Sequence, residues 1–208
     1  MPNDPAPDSV PDTAPVPGGG PCGRPGVASW CRRVRGLLTP DRWAHVVRVT
    51  ELAERIARAN RFTDDEVHDT VLAAVLHDAA RDLPDERLRE LAPPTNAQER
   101  AHPMILHGRA GRALAESWGV HAPRVLGAIE GHVAGVEPED RIGTAVYVAD
   151  VSEPGRGVND DVRELALRDL PAAYRTAVRR KVEFLRACGK PVHPTTLEVH
   201  DSLVPDRS

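Results

Sequence analysis

From about Val27 onward, apolar residues recur at the three- and four-residue spacing of an α-helix, and no segment alternates as a strand would. After Pro40, for example, Val49, Leu52 and Ile56 share one helical face. Aromatic residues make up only 3% of the chain, so the core has to be built from Ala, Val, Leu and Ile. That composition suits close helix packing and gives little support to an all-β fold. The pattern therefore predicts an all-α helical bundle.

Local signals for helix ends divide this region. Threonine or proline marks the predicted starts, and glycine marks the predicted end of one helix at Gly119. The segment after Pro93-Pro94 is predicted to be a loop. Helices are predicted to begin after Thr39 and Thr63 and at Pro84, Pro123 and Pro138, and to span residues 104–118, 158–169, 171–188 and 195–203.

Residues 1–26 differ in composition from the rest of the chain. They contain eight Pro and five Gly and almost no large apolar side chain. Such a segment cannot bury enough surface to offset the entropy lost on ordering. We therefore predict a disordered N-terminal tail over residues 1–26 and one folded domain over residues 27–208; for the tail, a plain extension is favoured over the alternative of a regulatory element.

Charge and cysteine usage narrow the class of protein. The net charge of -4 comes from 27 basic and 31 acidic residues that are interspersed, which lacks the basic surface of a nucleic-acid binder. No apolar run approaches the roughly 20 residues that span a membrane, and the N-terminus lacks the features of a signal peptide. Cys22, Cys31 and Cys188 are odd in number and show no CxxC spacing, which argues against disulfides and thiolate zinc. We expect a protein of the reducing cytoplasm without nucleic-acid or membrane partners.

Six side chains of the types that bind metals lie on apolar faces of predicted helices. A single histidine on such a face is more often a core residue, but a buried carboxylate has to be paired or coordinated. Six inward polar groups would be costly to bury unless a cation offset that cost. The candidate ligands are His45, His77, Asp78, His107, His132 and Asp150.

Nitrogen and carboxylate donors together suit iron, manganese, zinc or cobalt. Four of the candidates would hold one metal, and His107 and His132 are then left for a second, with Asp78 as the bridge. The His-Asp dipeptide occurs three times, but only at His77 does it follow an apolar run. We interpret His68-Asp69 and His200-Asp201 as surface or capping residues.

Two arginines near these residues are candidates for binding phosphate. Arg81 lies one turn after His77, and Arg156 follows Asp150 beyond the end of its helix. Guanidinium groups bind anionic oxygens in a bidentate manner, although a structural salt bridge is the alternative for either residue. Glu153 is interpreted as a positioning or a solvated carboxylate. Gly108 indicates either a close approach of the backbone to a ligand or close packing of helices.

The order H…HD…H…H…D resembles that of the HD-domain metal-dependent phosphohydrolases. The individual motifs are similar to those of the bacterial symmetrical bis(5'-nucleosyl)-tetraphosphatases of that superfamily, and the similarity extends over about residues 38–203. The similar motifs are RWAH (residues 42–45), LHDAARDL (76–83), ILHG (105–108), GHVAG (131–135), YVAD with EPGR (147–150 and 153–156), and HP with TL (193–194 and 196–197).

The resemblance implies an HD fold with a two-metal centre, iron in the best-known members, and places all six candidate ligands at its metal positions. It implies that Asp78 and Arg81 are catalytic, and that Arg81, Gly108, Glu153 and Arg156 contact the substrate. Arg81 stands where the family usually has Lys, and Val133-Ala134 replaces two threonines. Both departures affect substrate preference more than metal binding.

The resemblance implies hydrolysis of diadenosine tetraphosphate (Ap4A) and related dinucleoside polyphosphates, with two ADP as the products from Ap4A. One alternative is an HD phosphohydrolase that acts on another nucleotide or phosphoester. A second is a non-catalytic module that binds a nucleotide, and a third, weaker one is an oxygenase with two iron ions. A homodimer is compatible with each interpretation.

Overall fold

The computed structural model describes residues 20–24 and 26–203 of the 208-residue chain. Within them the chain forms α-helices joined by short 3-10 segments, and no strand is present in that part of the chain. The all-α prediction is therefore confirmed. The helices are α1 (Ala28–Arg35), α2 (Pro40–Ala59), α3 (Asp64–Leu76), α4 (Asp85–Leu91), α5 (Ala97–Ala101), α6 (His107–Ser117), α7 (Pro123–Gly131), α8 (Arg141–Ser152), α9 (Asp160–Ala166), α10 (Leu170–Ala187) and α11 (Pro194–Ser202).

Helix α8 is the centre of the bundle. Its residues from Ile142 to Ala149 are all buried, and it packs against α2, α3, α7, α9 and α10. A helix that is apolar on every side has to be surrounded by other elements. No helix in the described part of the chain is long and apolar enough to cross a membrane.

Two of the helices that surround α8 begin at the threonines that the sequence marks as starts, but only one of these threonines caps its helix. Thr63 caps α3 through a reciprocal capping box, in which its hydroxyl accepts from the backbone N–H of Glu66 and the Glu66 carboxylate accepts from that of Thr63. Thr39 occupies the N-cap of α2, but its hydroxyl donates to Asp82 Oδ2 at 3.0 Å instead of capping the helix. That bond ties the start of α2 to the segment that follows α3.

Three helix boundaries differ from the prediction. Helix α5 lies within the segment predicted as a loop, because Asn96 caps it by accepting from the N–H of Glu99 at 3.0 Å. Helix α8 begins after Asp140 rather than at Pro138, since the Asp140 carboxylate accepts from the N–H of Gly143. The predicted helix over residues 104–118 is broken in two, a 3-10 segment Pro103–Leu106 and then α6.

The prediction that the cysteines form no disulfide is wrong. Cys22 and Cys31 are joined by a disulfide with a Cα–Cα distance of 5.8 Å, and Cys188 is free and exposed. The bond forms because a 3-10 turn at Pro21–Gly23 folds back against α1 and α2, which the sequence pattern did not indicate. Most of the predicted tail, residues 1–19 and 25, lies outside the described residues.

Candidate metal centre

Four of the six predicted ligands, all of them histidines, surround a fifth, the carboxylate of Asp78. Asp78 Oδ1 lies 3.3 Å from His107 Nε2 and 3.5 Å from His132 Nε2. Asp78 Oδ2 lies 3.6 Å from His77 Nε2 and 3.8 Å from His45 Nε2. Each oxygen of Asp78 therefore faces a different pair of histidines.

Asp150, the sixth predicted ligand, lies in the last turn of α8. A carboxylate is unfavourable there, because the C-terminal end of a helix carries partial negative charge. Two neighbours compensate: His45 Nε2 is 3.1 Å from Asp150 Oδ1, and the Arg156 guanidinium pairs with the same oxygen. Burial alone would raise the pKa of Asp150, but the bond from His45 and the charges of His77 and Arg156 hold that pKa below its usual range.

Three of the four histidines lie at the ends of helical segments. His77 follows α3, His132 follows α7, and His107 stands between the 3-10 segment and the body of α6. In each case Nδ1 lies 2.6–2.7 Å from the carbonyl oxygen of the residue three positions earlier. A carbonyl can only accept, so Nδ1 carries the proton and the lone pair of Nε2 is directed into the cluster.

His45, on α2, is oriented by a side chain instead. Its Nδ1 lies 2.9 Å from Glu153 Oε1, and Glu153 is buried, with 1% of its surface exposed. Arg48 donates to both oxygens of Glu153, at 2.6 and 3.1 Å. Burial would raise the pKa of Glu153, but the bonds from Arg48 and His45 lower it to about 2. The interpretation of Glu153 as solvated is therefore wrong, and its carboxylate fixes the ring of His45.

The protonation of His77 and Asp78 is the one that a cation requires, whereas the bond to Asp78 outweighs burial and raises the pKa of His132. Burial lowers the pKa of His77 to about 4, so this imidazole is neutral at pH 7. Its Nε2 is buried and has no hydrogen-bond partner among the described residues. Burial opposes ionisation of Asp78, yet His77, His107 and His132 outweigh it and hold the pKa of Asp78 well below its usual range. Neutral imidazole and ionised carboxylate are the forms that bind metals.

The donor atoms form two groups that share Asp78. His45, His77 and Asp78 make one group, and Asp78, His107 and His132 make the other, with the ligand atoms of each group within 4.8 Å of one another. Each group has the donors of a candidate cation site, and Asp78 belongs to both. The donors are imidazole nitrogen and carboxylate oxygen, as the sequence predicted, and they suit iron, manganese, zinc or cobalt.

A cavity of about 700 Å³ opens over the cluster, and five basic side chains line it. Arg42 donates to Asp78 Oδ2 at 3.0 Å, and Lys181 donates to the backbone oxygen of Val133. Burial lowers the pKa of Lys181 to about 8. The cavity therefore presents a positive lining around the candidate ligands, as an anionic substrate needs. The basic residues are Arg42, Arg81, Arg156, Arg180 and Lys181.

Several of these residues were not assigned a role from the sequence. Arg42 lies one turn before His45 on α2, so the helical spacing already contained a signal for it. Arg48, one turn after His45, has the same signal. Lys181 and Arg180 lie on α10, far along the chain from every ligand, and nothing local in the sequence connects them with the site.

Two other predicted features lie outside the cavity. A Cβ at Gly108 would lie 2.5 Å from the backbone oxygen of Glu130 and 2.9 Å from Val133 Cγ2, so this glycine permits close packing of α6 and α7. Asp69 was interpreted as a surface or capping residue, which is wrong, because it is buried and paired with Arg124. Its burial follows from its place on the face of α3 that packs inside the bundle.

The family model for the HD domain matches residues 42–155, which is more than half of the chain and includes every member of the cluster. The chain belongs to the HD domain family. HD domains bind divalent metals, and the histidines and carboxylates that converge on Asp78 are of the types that can hold them. Membership supports a metal-dependent hydrolase of the HD phosphohydrolase type.

Two curated relatives, from Mycoplasma pneumoniae and Mycoplasma genitalium, each bear the name "Probable nicotinate-nucleotide adenylyltransferase/Ap4A hydrolase". They are 28% and 27% identical over 152 residues, which cover 69% and 68% of this chain. The matched segment spans less than half of the relatives, 43% and 42% of their lengths. A solved structure from Clostridium acetobutylicum, described as a predicted HD superfamily hydrolase involved in NAD metabolism, superposes with a TM-score of 0.77. It is 27% identical, and the match covers 86% of this chain and 96% of that one.

Proposed function

We propose that this HD-family protein hydrolyses Ap4A symmetrically to two molecules of ADP. The proposal rests on one observation: the two carboxylate oxygens of Asp78 face different pairs of histidines, and a cavity lined by basic residues opens over them. The name of the Mycoplasma relatives and the motifs similar to symmetrical tetraphosphatases support the choice of substrate. Related dinucleoside polyphosphates are further candidates.

In this proposal the six clustered residues hold two cations, of which iron is the first candidate and manganese, zinc and cobalt are the others. The cations would supply Lewis acidity and would activate the attacking water. The histidines contribute nitrogen donors whose orientation is set by their Nδ1 bonds. Glu153 acts through His45 as a positioning residue rather than as a contact of the substrate.

The arginines that line the cavity bind the phosphate oxygens. Arg81 lies half-exposed in the cavity wall, where its guanidinium can contact negative charge that develops on the reacting phosphate. Arg156 is held beside the cluster by bonds from Nε to the backbone oxygen of Asp150, at 2.9 Å, and from Nη2 to its carboxylate. Arg42 is held beside the cluster by a single bond to the Asp78 carboxylate. Gly108 contributes by allowing α6 and α7 to approach closely.

The proposed reaction consumes one water and breaks one phosphoanhydride bond. Water attacks one of the two inner phosphorus atoms of the tetraphosphate, and the bond from that phosphorus to the central bridging oxygen breaks. One ADP leaves with the bridging oxygen, and the other carries the oxygen from water. The five basic groups reduce the repulsion between the attacking oxygen and the polyphosphate.

The test is turnover of Ap4A by anaerobically purified protein, with metal analysis of the same sample. We expect ADP as the sole nucleotide product, about two metals per chain, and loss of both activity and metal in His77→Ala. His121→Ala is the matched control, because His121 is an exposed histidine outside the cluster. ATP and AMP as products, or full activity of His77→Ala, would contradict the proposal.

One observation supports a second candidate function, hydrolysis of a different nucleotide or phosphoester. Val133, which replaces a threonine of the similar family, lines the cavity directly. A methyl group there cannot donate the hydrogen bond that a hydroxyl offers, so another nucleotide or phosphoester remains a candidate substrate. A panel of nucleoside mono-, di- and triphosphates and dinucleotides, assayed on the same metal-loaded protein, separates the two functions. Metal-free, inactive protein would instead favour the non-catalytic nucleotide-binding module.

A further inference from the structure

Phe184 is an aromatic side chain that the fold leaves in solvent. The chain has seven aromatic residues, three Trp, two Tyr and two Phe, and all lie in the described part of the chain. The other six are buried or half-buried, whereas Phe184 on α10 is 61% exposed. It lines the cavity that opens over the metal centre. The chain has few aromatic residues, and one of them is exposed at this cavity. Its position indicates a ligand with an apolar surface.

Val158 is a second exposed apolar residue in the same cavity wall, at 56% exposure. The backbone holds it there, because Gly157 and Asn159 on either side have positive φ angles of 66° and 61°. Asn159 is fixed by a bond from its amide to the backbone oxygen of Val151, at 3.0 Å, and accepts from Arg180 at 3.4 Å. A non-glycine residue in the left-handed region needs such support. The exposure of Val158 is therefore built into a fixed loop.

Basic and apolar groups follow one another along the cavity face of α10. Arg180 and Lys181 lie one turn before Phe184 on the same side of the helix, since residues three and four apart are neighbours there. Lys181 is held towards the cluster side of the cavity by its bond to Val133, next to His132. The cavity thus offers positive charge beside the candidate metals and an apolar surface further along α10.

We propose that Phe184 and Val158 form a nucleobase subsite, in which the base of the nucleotide stacks on the Phe184 ring and contacts the Val158 methyl groups. The inference rests on the proposed function, because it takes the phosphates to bind at the metal centre. A nucleotide has the matching chemistry: an anionic end for the basic residues and a flat, weakly polar end for the ring. An uncharged apolar ligand would match the ring but not the positive charge of the five basic residues in the same cavity.

The test compares a ligand that has a base with one that has none. Binding of ADP and of inorganic pyrophosphate to manganese-loaded protein is measured by titration calorimetry for wild type, Phe184→Ala, Phe184→Tyr and Leu37→Ala. We expect Phe184→Ala to weaken ADP binding by roughly 5- to 100-fold and to leave pyrophosphate binding unchanged, since stacking acts only on the base. Phe184→Tyr keeps the ring and should bind ADP as wild type does. Leu37→Ala is the control for an exposed apolar residue outside the cavity.

A Phe184→Trp variant gives a direct readout of contact. Its added fluorescence, relative to wild type, should be quenched by ADP and not by pyrophosphate. Equal losses of ADP and pyrophosphate affinity in Phe184→Ala, or no loss of either, would overturn the subsite. So would a wild-type dimer that Phe184→Ala converts to a monomer with unchanged ADP affinity, because a second copy would then be the occupant.

These outcomes are separable from those of the proposed function. Discrimination between ADP and pyrophosphate that depends on Phe184, in a protein that does not turn over Ap4A, would support the subsite and reject Ap4A as the substrate. Turnover of Ap4A with a KM that is identical in wild type and Phe184→Ala would retain the activity and reject the subsite.

Discussion

Replacement of Gly108 by alanine tests whether the close contact between α6 and α7 sets the geometry of the metal centre. The added Cβ would lie 2.5 Å from the backbone oxygen of Glu130 and 2.9 Å from Val133 Cγ2. A side chain such as Val133 can rotate, but a backbone oxygen can move only with its helix. Ordinary contacts of a Cβ begin at 3.4 Å, so the two segments have to separate by several tenths of an ångström.

The magnitude follows from two opposing terms. Overpacking of a close-packed contact costs about 1–3 kcal/mol, whereas alanine in place of glycine inside a helix gains about 0.5–1 kcal/mol. Gly108 is the second residue of α6, where the gain is at its smallest, so we expect a net loss of about 1–2 kcal/mol. Gly127 is the matched control, because it lies inside α7 and has nothing within 4 Å of an added Cβ. Gly127→Ala should therefore gain about 0.5–1 kcal/mol.

The assay is thermal unfolding of both variants, followed by metal analysis. For a chain of this size about 1 kcal/mol shifts Tm by about 2–4 °C, so the two variants should move in opposite directions by a measurable amount. His107 precedes Gly108, and its Nε2 lies 3.0 Å from that of His132 across the same contact. Gly108→Ala should therefore also bind metal more weakly than Gly127→Ala. Equal Tm values for the two variants, with equal metal content, would refute the reasoning.

Three further predictions concern single side chains. Glu153→Gln should weaken metal binding by about 10- to 100-fold in a chelator competition, because an amide orients His45 less strongly than a carboxylate. Tyr174→Phe should lower the free energy of unfolding in urea by about 1–3 kcal/mol, because the buried hydroxyl of Tyr174 hydrogen-bonds the backbone N–H and carbonyl oxygen of Val136. Tyr147→Phe should lower it by less, because the hydroxyl of Tyr147 has no partner among the described residues. Equal losses in the two variants would contradict this prediction. Burial opposes ionisation of Glu99, but bonds from Thr95 and a neighbouring histidine outweigh burial and lower the pKa of Glu99. The ionised carboxylate therefore stabilises the fold above the ordinary value of 4.5, and this stabilisation is lost as the pH falls below that value. The difference in the free energy of unfolding between wild type and Glu99→Gln should accordingly become smaller in acid. A difference that does not change with pH would show that ionisation of Glu99 does not stabilise the fold.

The inward placement of the six candidate ligands could be predicted from the sequence, because the evidence for it is local, whereas their role as ligands stays a prediction. Whether His45 shares a face with Val49 and Leu52 depends only on helical spacing, and so does the position of Asp150 relative to Val146. Capping signals such as Thr63 with Glu66 are equally local, and α3 begins where they predicted. The same reasoning could have found α5, since Asn96 followed by Glu99 is a capping signature that the preceding prolines obscured.

Contacts between distant segments could not be predicted in this way. Glu153 lies 108 residues after His45, and no periodicity connects the two. The cavity wall formed by α10 and the pairing of Asp69 with Arg124 also join segments that lie far apart in the sequence. The Cys22–Cys31 disulfide depends on a turn in a segment whose composition predicted no fixed structure. In each case tertiary packing, rather than local preference, decides the contact.

The placement of three histidines at helix ends explains how a polar cluster can exist inside an apolar bundle. Near the ends of these helical segments, the Nδ1 atoms of His77, His107 and His132 each donate to the carbonyl oxygen three residues earlier. That bond fixes both the tautomer and the ring, so each Nε2 has to face Asp78. The Nε2 atoms therefore meet around one carboxylate, and Arg42 and Arg156 bond the carboxylates Asp78 and Asp150 at the edge of the cluster. A cation is the partner that such a set of donors lacks, and bonds within their own helical segments orient three of its ligands towards it.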